Sequence, residues 1–235
     1  MPPVLSHVLD NPIWNALTTR QQSLSVGGNL ARRFDSSIGP FAGLREQSPE
    51  AYAELASTLA PGQPAVLVLD EALRLPAGWR ILREIEIIHM TCPAEPHFPA
   101  GNTHAGNAPE LTPLTHADVP EMLDLVKLTE PGPFAPRTID LGGYIGIKIE
   151  NRLAAMAGYR VAPPGYREIS AVCTHPDFRG RGYAHYLTAT VARNIRALGD
   201  TPYLTAFAEN HGAIRVYEAV GFVLRRSLQI VAITL

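Results

Sequence analysis

The stretch from Glu168 to Leu198 constrains the fold more than any other part of the chain. Glu168 to Thr174 is an apolar run that reads as a strand, the turn His175-Pro176-Asp177-Phe178 follows, and Arg179-Gly180-Arg181-Gly182-Tyr183-Ala184 leads into a long helical pattern. The glycines fall at the strand-to-helix joint. There the first N–H groups of the helix lack intrahelical partners and sit at the positive end of its dipole, so the joint suits an anion, above all a diphosphate. Gly180 and Gly182 allow the backbone to approach such a ligand closely, and Arg179 and Arg181 add charge that does not titrate.

Arg179, Gly182 and Ala184 match the pattern Arg/Gln-x-x-Gly-x-Gly/Ala, placed after a strand and before a helix, and the run resembles the coenzyme A pyrophosphate loop of the GNAT acyltransferase superfamily. Downstream, Tyr203 to Ala208 reads as a second strand. Residues Asn210 to Phe222 then resemble the next segment of that superfamily, in which a helix ends in Tyr-x-x-x-Gly-Phe, here Tyr217 to Phe222. The resemblance covers about the last half of the chain. It implies an α/β fold with a mixed sheet flanked by helices, acetyl-CoA as cosubstrate, and an amine acceptor, small molecule or peptide; no metal is expected, because neither His97 nor His104 has a second ligand at metal-binding spacing. Val172, Cys173 and Thr174 are then expected to pair with the pantetheine arm. Arg179, Gly180, Arg181, Gly182, Tyr183, Ala184 and Asn210 are expected to hold the rest of the cofactor, with the thioester in a gap between the two strands.

Length and composition set outer limits. With 235 residues, 46% of them hydrophobic, the chain can bury one large core or two small ones. A net charge of −2 argues against a nucleic-acid partner, which requires an accumulated basic surface. Cys92 and Cys173 are far apart and show no Cys-x-x-Cys spacing, which points to reduced thiols and a cytoplasmic setting, with a pairing of the two as the alternative. No apolar run approaches the ~20 residues of a membrane helix, and residues 1 to 30 lack the pattern of a targeting signal. The sequence does not set the oligomeric state.

Taken in order, Asp10-Asn11-Pro12 opens a first helix, with Trp14 on its core face. Residues 30 to 45 read as short strand and loop. Ser48-Pro49-Glu50 starts a helix carrying Tyr52, Leu55 and Leu59, Ala65 to Leu69 is strand-like, and Trp79 to Met90 alternates as a half-exposed strand. These elements form a small α/β N-terminal domain, residues 1–92, without a phosphate loop of its own. No internal repeat is visible, and a degenerate copy of the second domain is one reading of this half. Residues 93–110, rich in Pro, Gly, His and Asn, read as a linker, with His97 and His104 as solvated side chains rather than metal ligands. The domain at residues 111–235 begins with a strand at Leu111 to Leu114. A helix capped by Thr115 and Asp118 follows, then a break at residues 130–134 and a hairpin turning at Glu150-Asn151.

Direct transfer to an amine needs a base, a donor for the leaving thiolate and a positioned acceptor. Glu168 is the candidate base, on the resemblance and on the expectation that partial desolvation raises its pKa; the plainer alternative is a strand-end glutamate in solvent or a salt bridge. Tyr217 is the candidate acid, the alternative being a packed tyrosine that anchors its helix. Asn210 is a cofactor contact, an N-cap, or both. The resemblance makes Phe134 a wall of the acceptor pocket, against a loop phenylalanine tucked into the core. Strand alternation places Cys173 opposite Glu168, as a small core residue rather than a nucleophile. A noncatalytic acyl-CoA-binding module is the rival reading, and the joint presence of Glu168 and Tyr217 favours the enzyme.

Overall fold

Residues 7–99 and 109–235 are described by a computed structural model. In chain order they form α1 (Pro12–Leu17), β1 (Ser25–Gly27), β2 (Ala31–Phe34), β3 (Ala42–Leu44), α2 (Pro49–Ser57), β4 (Ala65–Leu69) and β5 (Arg80–Thr91). There follow β6 (Thr112–Pro113), α3 (Val119–Thr129), β7 (Ile145–Ile149), β8 (Arg152–Tyr159), β9 (Tyr166–Thr174), α4 (Tyr183–Ala197), β10 (Thr201–Phe207), α5 (His211–Val220) and β11 (Val223–Thr234). Strands β1 to β3 make an antiparallel sheet, and the others one mixed sheet in the order β4-β11-β5-β10-β9-β8-β7-β6.

Local sequence sets most starts and stops. The Ser48 side chain accepts from the Ala51 N–H at 3.2 Å to open α2. Asp118 accepts from the Thr115 N–H at 2.8 Å in a reciprocal capping box ahead of α3. Glu150 and Asn151, at φ 50 and 60, supply the two left-handed residues that a tight β7–β8 hairpin turn requires. At α1 the outcome differs from expectation: the Asn11 amide donates to the Leu44 carbonyl at 2.7 Å and does not cap the helix, and Trp14 is only half-buried.

Of the described residues, one compact unit takes the chain up to Ile87 with Val161–Pro164 and Ser227–Leu235; the other takes Ile88–Arg160 and Gly165–Arg226. This differs from the expected division into residues 1–92 and 111–235. The last residues of β11 belong with the first unit because they form an antiparallel ladder with β4, from Gln229↔Leu69 to Ile233↔Ala65. That ladder buries Val231 and Ile233 with Leu67, Tyr52 and Leu55. Conversely, Met90 and Cys92 are buried among Leu204, Val220 and Phe222, and the Cys92 N–H donates to the Pro202 carbonyl at 2.9 Å.

The expected linker is docked where it is described. The His97 N–H donates to the Val220 carbonyl at 2.7 Å, Arg196 pairs with Glu95 at 3.0 Å, and Phe98 packs edge-on against Tyr186 under the Arg193 guanidinium. His104 lies outside the described residues. A chain beginning at residue 105 therefore lacks Met90, Cys92 and this strap, and is expected to show no cooperative melt. In the full chain, Leu67→Ala should lower the free energy of unfolding in urea by about 2–5 kcal/mol. A cooperative melt of residues 105–235 at the full-length Tm would contradict the placement of Met90 and Cys92 in that core.

Candidate active site

Strands β9 and β10 run parallel and are paired only from Tyr166↔Thr201 to Ile169↔Leu204. Beyond that point both strands continue, to Thr174 and to Phe207, without pairing to each other. The backbone groups along this parting need partners, because an unpaired peptide group away from water costs as much as a lost hydrogen bond. This is the gap between strands that the resemblance implies. The Thr174 hydroxyl, at the far end of β9, is enclosed without a hydrogen-bond partner.

On its other side β9 is bulged against β8: Ser170 faces Gly158 and Cys173 faces Met156, so Ala171 and Val172 stand opposite the single residue Ala157. Ala171 takes φ 53, a left-handed conformation that costs a non-glycine residue about 1–2 kcal/mol. The extra residue exchanges the faces of the strand. Ile169 and Val172 pack with the α4 and α5 side chains, while Ala171 and Cys173 pack with Met122, Leu125, Tyr144 and Met156. Simple alternation had put Cys173 opposite Glu168; the bulge brings it to the same face.

Glu168 is 2% exposed and its carboxylate is fully engaged. Arg160 donates from Nε to Oε2 at 2.9 Å and from Nη2 to Oε1 at 2.6 Å, and the Thr205 hydroxyl donates to Oε1 at 2.7 Å. Burial opposes ionisation, but the Arg160 charge and these hydrogen bonds outweigh it, and the Glu168 pKa lies below its usual value. The expectation of a raised pKa is therefore corrected: this carboxylate is the buried half of an ion pair, ill-suited to take a proton near neutral pH. Beside it, His89 on β5 is 1% exposed, with its ring 5.5 Å from that of Tyr203. Burial depresses its pKa to about 4, with Glu168 opposing.

The loop ahead of α4 has the expected form. Gly182, at φ 76, holds the N-cap position with no side-chain cap, and Gly180 is at φ 78. A Cβ added at either would meet no protein atom within 4 Å, so the surface of the joint stands open. Arg179 to Gly182 are exposed, and Tyr183 and Ala184 are half-buried in the first turn. Arg181 lies over the Phe178 ring at 5.2 Å and Arg179 reaches the Thr174 carbonyl at 3.4 Å, so both cations are tied to the end of β9.

Tyr217 of α5 is buried against Phe222, and burial with the neighbouring Cys173 thiol pushes its pKa up to about 12. The phenol keeps its proton through neutral pH. Cys173 is itself raised to about 12 by burial, with Thr129 and Met156 as hydrogen-bond partners, so it stays a thiol. Asn210 caps α5, accepting from the Ala213 N–H at 3.1 Å. Phe134 meets the Tyr144 ring edge-on at 5.7 Å, half-buried beside the cluster that holds Cys173. Arg160, Thr205, His89 and the bulge were not anticipated. An arginine eight residues ahead of a buried glutamate is a weak signal, and Ala171-Val172 carries no turn residue that would mark a bulge.

Comparisons with known proteins agree with this geometry. A family model described as FR47-like protein matches residues 144–231. A solved structure from Novosphingobium aromaticivorans, named as an acetyltransferase of the GNAT family, is 39% identical with a TM-score of 0.86, over 97% of this chain and 99% of that one. A GCN5-related N-acetyltransferase from Kribbella flavida superposes with a TM-score of 0.59 at 18% identity, over 93% and 92% of the two chains. A GCN5-related N-acetyltransferase-like protein from Streptococcus suis gives 0.55 at 14%, over 99% and 94%. No curated protein matches. The parted parallel strands and open glycine joint define an acyltransferase-type α/β fold. The chain belongs to the GNAT family. Among the described residues, no helix is long and apolar enough to cross a membrane, and no cluster of His, Cys, Asp or Glu is arranged to hold a metal.

The buried titratable groups give a signed dependence of stability on pH. His89 titrates near 6.5 in an unfolded chain and near 4 when folded, so its contribution is whole above 6.5 and is lost as pH falls towards 4. Glu168, depressed below 4.5, continues the loss at lower pH. Urea midpoints measured from pH 4 to 7 should fall with pH, and His89→Gln should flatten that slope; an unchanged slope would exclude His89 as its source.

Proposed function

We propose that this protein is an N-acyltransferase that moves an acetyl group from acetyl-CoA directly to an amine. The reading rests on one observation: β9 and β10 part beside the open N-terminal joint of α4. These features fit an extended thiol arm ending in a diphosphate. The arm finds strand edges to pair with at Val172 to Thr174, and the diphosphate finds free N–H groups at Gly182 to Ala184, with Arg179 and Arg181 near. When bound, acetyl-CoA supplies a thioester whose acetyl carbon passes to the amine nitrogen, leaving the coenzyme A thiol.

In this reading Tyr217 acts as proton donor at Oη, since a phenol with a pKa near 12 is protonated at working pH. Asn210 shapes the start of α5 and holds Tyr217 in place. Phe134 and Tyr144 wall the acceptor side. Cys173, kept as a thiol by burial, packs against this site without forming an acyl-enzyme. Removal of the amine proton does not fall to Glu168, whose two oxygens are occupied.

Calorimetry with coenzyme A and thiol release across a panel of amines test the proposal. Coenzyme A should bind and raise the Tm, and at least one amine should support turnover. Gly182→Val should lower coenzyme A affinity at least about tenfold, because a β-branched residue is strained at that φ and its side chain occupies the open joint. Tyr217→Phe should lower kcat about 10- to 1000-fold with little change in coenzyme A affinity. Absence of coenzyme A binding would refute the proposal, and binding without turnover of any amine would leave a noncatalytic acyl-CoA-binding module.

A further inference from the structure

The ladder between β9 and β10 stops at Ile169↔Leu204, and no proline or glycine stands at that point to stop it. What stands there is a side-chain bridge. Glu168 is the Cα partner of Tyr203, and its carboxylate reaches diagonally to Thr205, the first β10 residue beyond the last pair. The same carboxylate is held from the β8 side by the two-point contact with Arg160, whose own N–H donates to the Glu168 carbonyl at 3.1 Å. Three successive strands of the sheet are thus joined at the apex of the parting by one buried carboxylate, 2% exposed.

We infer that Arg160, Glu168 and Thr205 form a clasp that fixes where β9 and β10 separate, and that Glu168 and Thr205 are positioning residues for the acyl transfer proposed above. A charge-assisted hydrogen bond to the buried Glu168 carboxylate holds Thr205 at the junction. With β10 fixed there, the backbone beyond it and the start of α5, which follows β10 within a few residues, keep their distance from β9. The acyl group would be placed against Tyr217 by this distance. This inference rests on the proposed function for its catalytic consequence, but the clasp itself is testable without substrate.

The test uses the full chain in three single variants and one double variant. Thr205→Val removes only the hydroxyl and leaves the Arg160–Glu168 pair intact, so it folds even if Glu168→Gln, which strands a buried arginine, does not; Thr205→Ser restores the hydroxyl. In the ligand-free protein, amide hydrogen exchange from Tyr203 to Ala206 should rise about 10- to 100-fold in Thr205→Val, the scale of one hydrogen bond to a charged group, and stay within about threefold of wild type in Thr205→Ser. With acetyl-CoA and an amine, Thr205→Val and Glu168→Gln should each lower kcat about 10- to 100-fold without changing the shape of the pH profile, and the double variant should be no worse than Glu168→Gln alone. Wild-type exchange in Thr205→Val would overturn the clasp. A Glu168→Gln deficit that closes as pH rises, beside a fully active Thr205→Val, would overturn it in favour of a base. If the wild type turns over no amine, the proposed function fails while the exchange experiment still decides the clasp.

Discussion

The rest of the second unit depends on two parallel strands that begin as one ladder and end apart. A sheet that keeps its pairing buries every backbone donor and acceptor for nothing but stability; one that parts exposes them along a line. Each unpaired peptide group along the parting forgoes a hydrogen bond worth about 1 kcal/mol net, and more if water is excluded. Two features of the fold stand at the parting. The bulge at Ala171 bends β9 and loosens its match to a straight neighbour, and the bridge through Glu168 holds β10 at the last pair.

The ligand loop depends on the same pair of strands. β9, α4 and β10 form a parallel strand–helix–strand unit, and such a crossover places the helix N-terminus at the carboxyl end of the first strand. The open glycine joint therefore meets the parting at the end of β9, where Arg179 and Arg181 fold back onto Thr174 and Phe178. The open helix N-terminus and the unpaired strand edges are consequences of one topology, which is why the proposed elongated ligand can satisfy both.

Features encoded by a few neighbouring residues were legible in the sequence. Gly182 at the N-cap of α4, Thr115 and Asp118 ahead of α3, and the Glu150-Asn151 turn all stand where their chemistry placed them. Long-range pairings were not legible. The ladder of β11 with β4 moves the end of the chain into the first unit, and nothing within Gln229 to Ile233 distinguishes that partner from another. The faces of β9 were misread for a related reason: a bulge carried by Ala171 and Val172 has no compositional mark, and one extra residue reverses every later side chain. Burial of Glu168 was invisible because its counterion, Arg160, reads in sequence as an ordinary charged residue at the end of a strand.

If the acceptor is an amine, as proposed, the ion pair also limits how it loses its proton. For Glu168 to act as a base it would have to accept a proton while Arg160 stays charged and buried, and breaking a buried pair by neutralising one partner costs about 3–5 kcal/mol. At 1.36 kcal/mol per factor of ten, that is a penalty of roughly 10²- to 10⁴-fold, as large as the gain a general base supplies. A carboxylate held this way contributes more by staying charged. For the proposed transfer, this leaves an amine that arrives already neutral or passes its proton to solvent along the parting, and its rate should follow the fraction of free amine. Under the proposed function, acceptors of lower pKa should be favoured at neutral pH for that reason, through the Arg160–Glu168 pair.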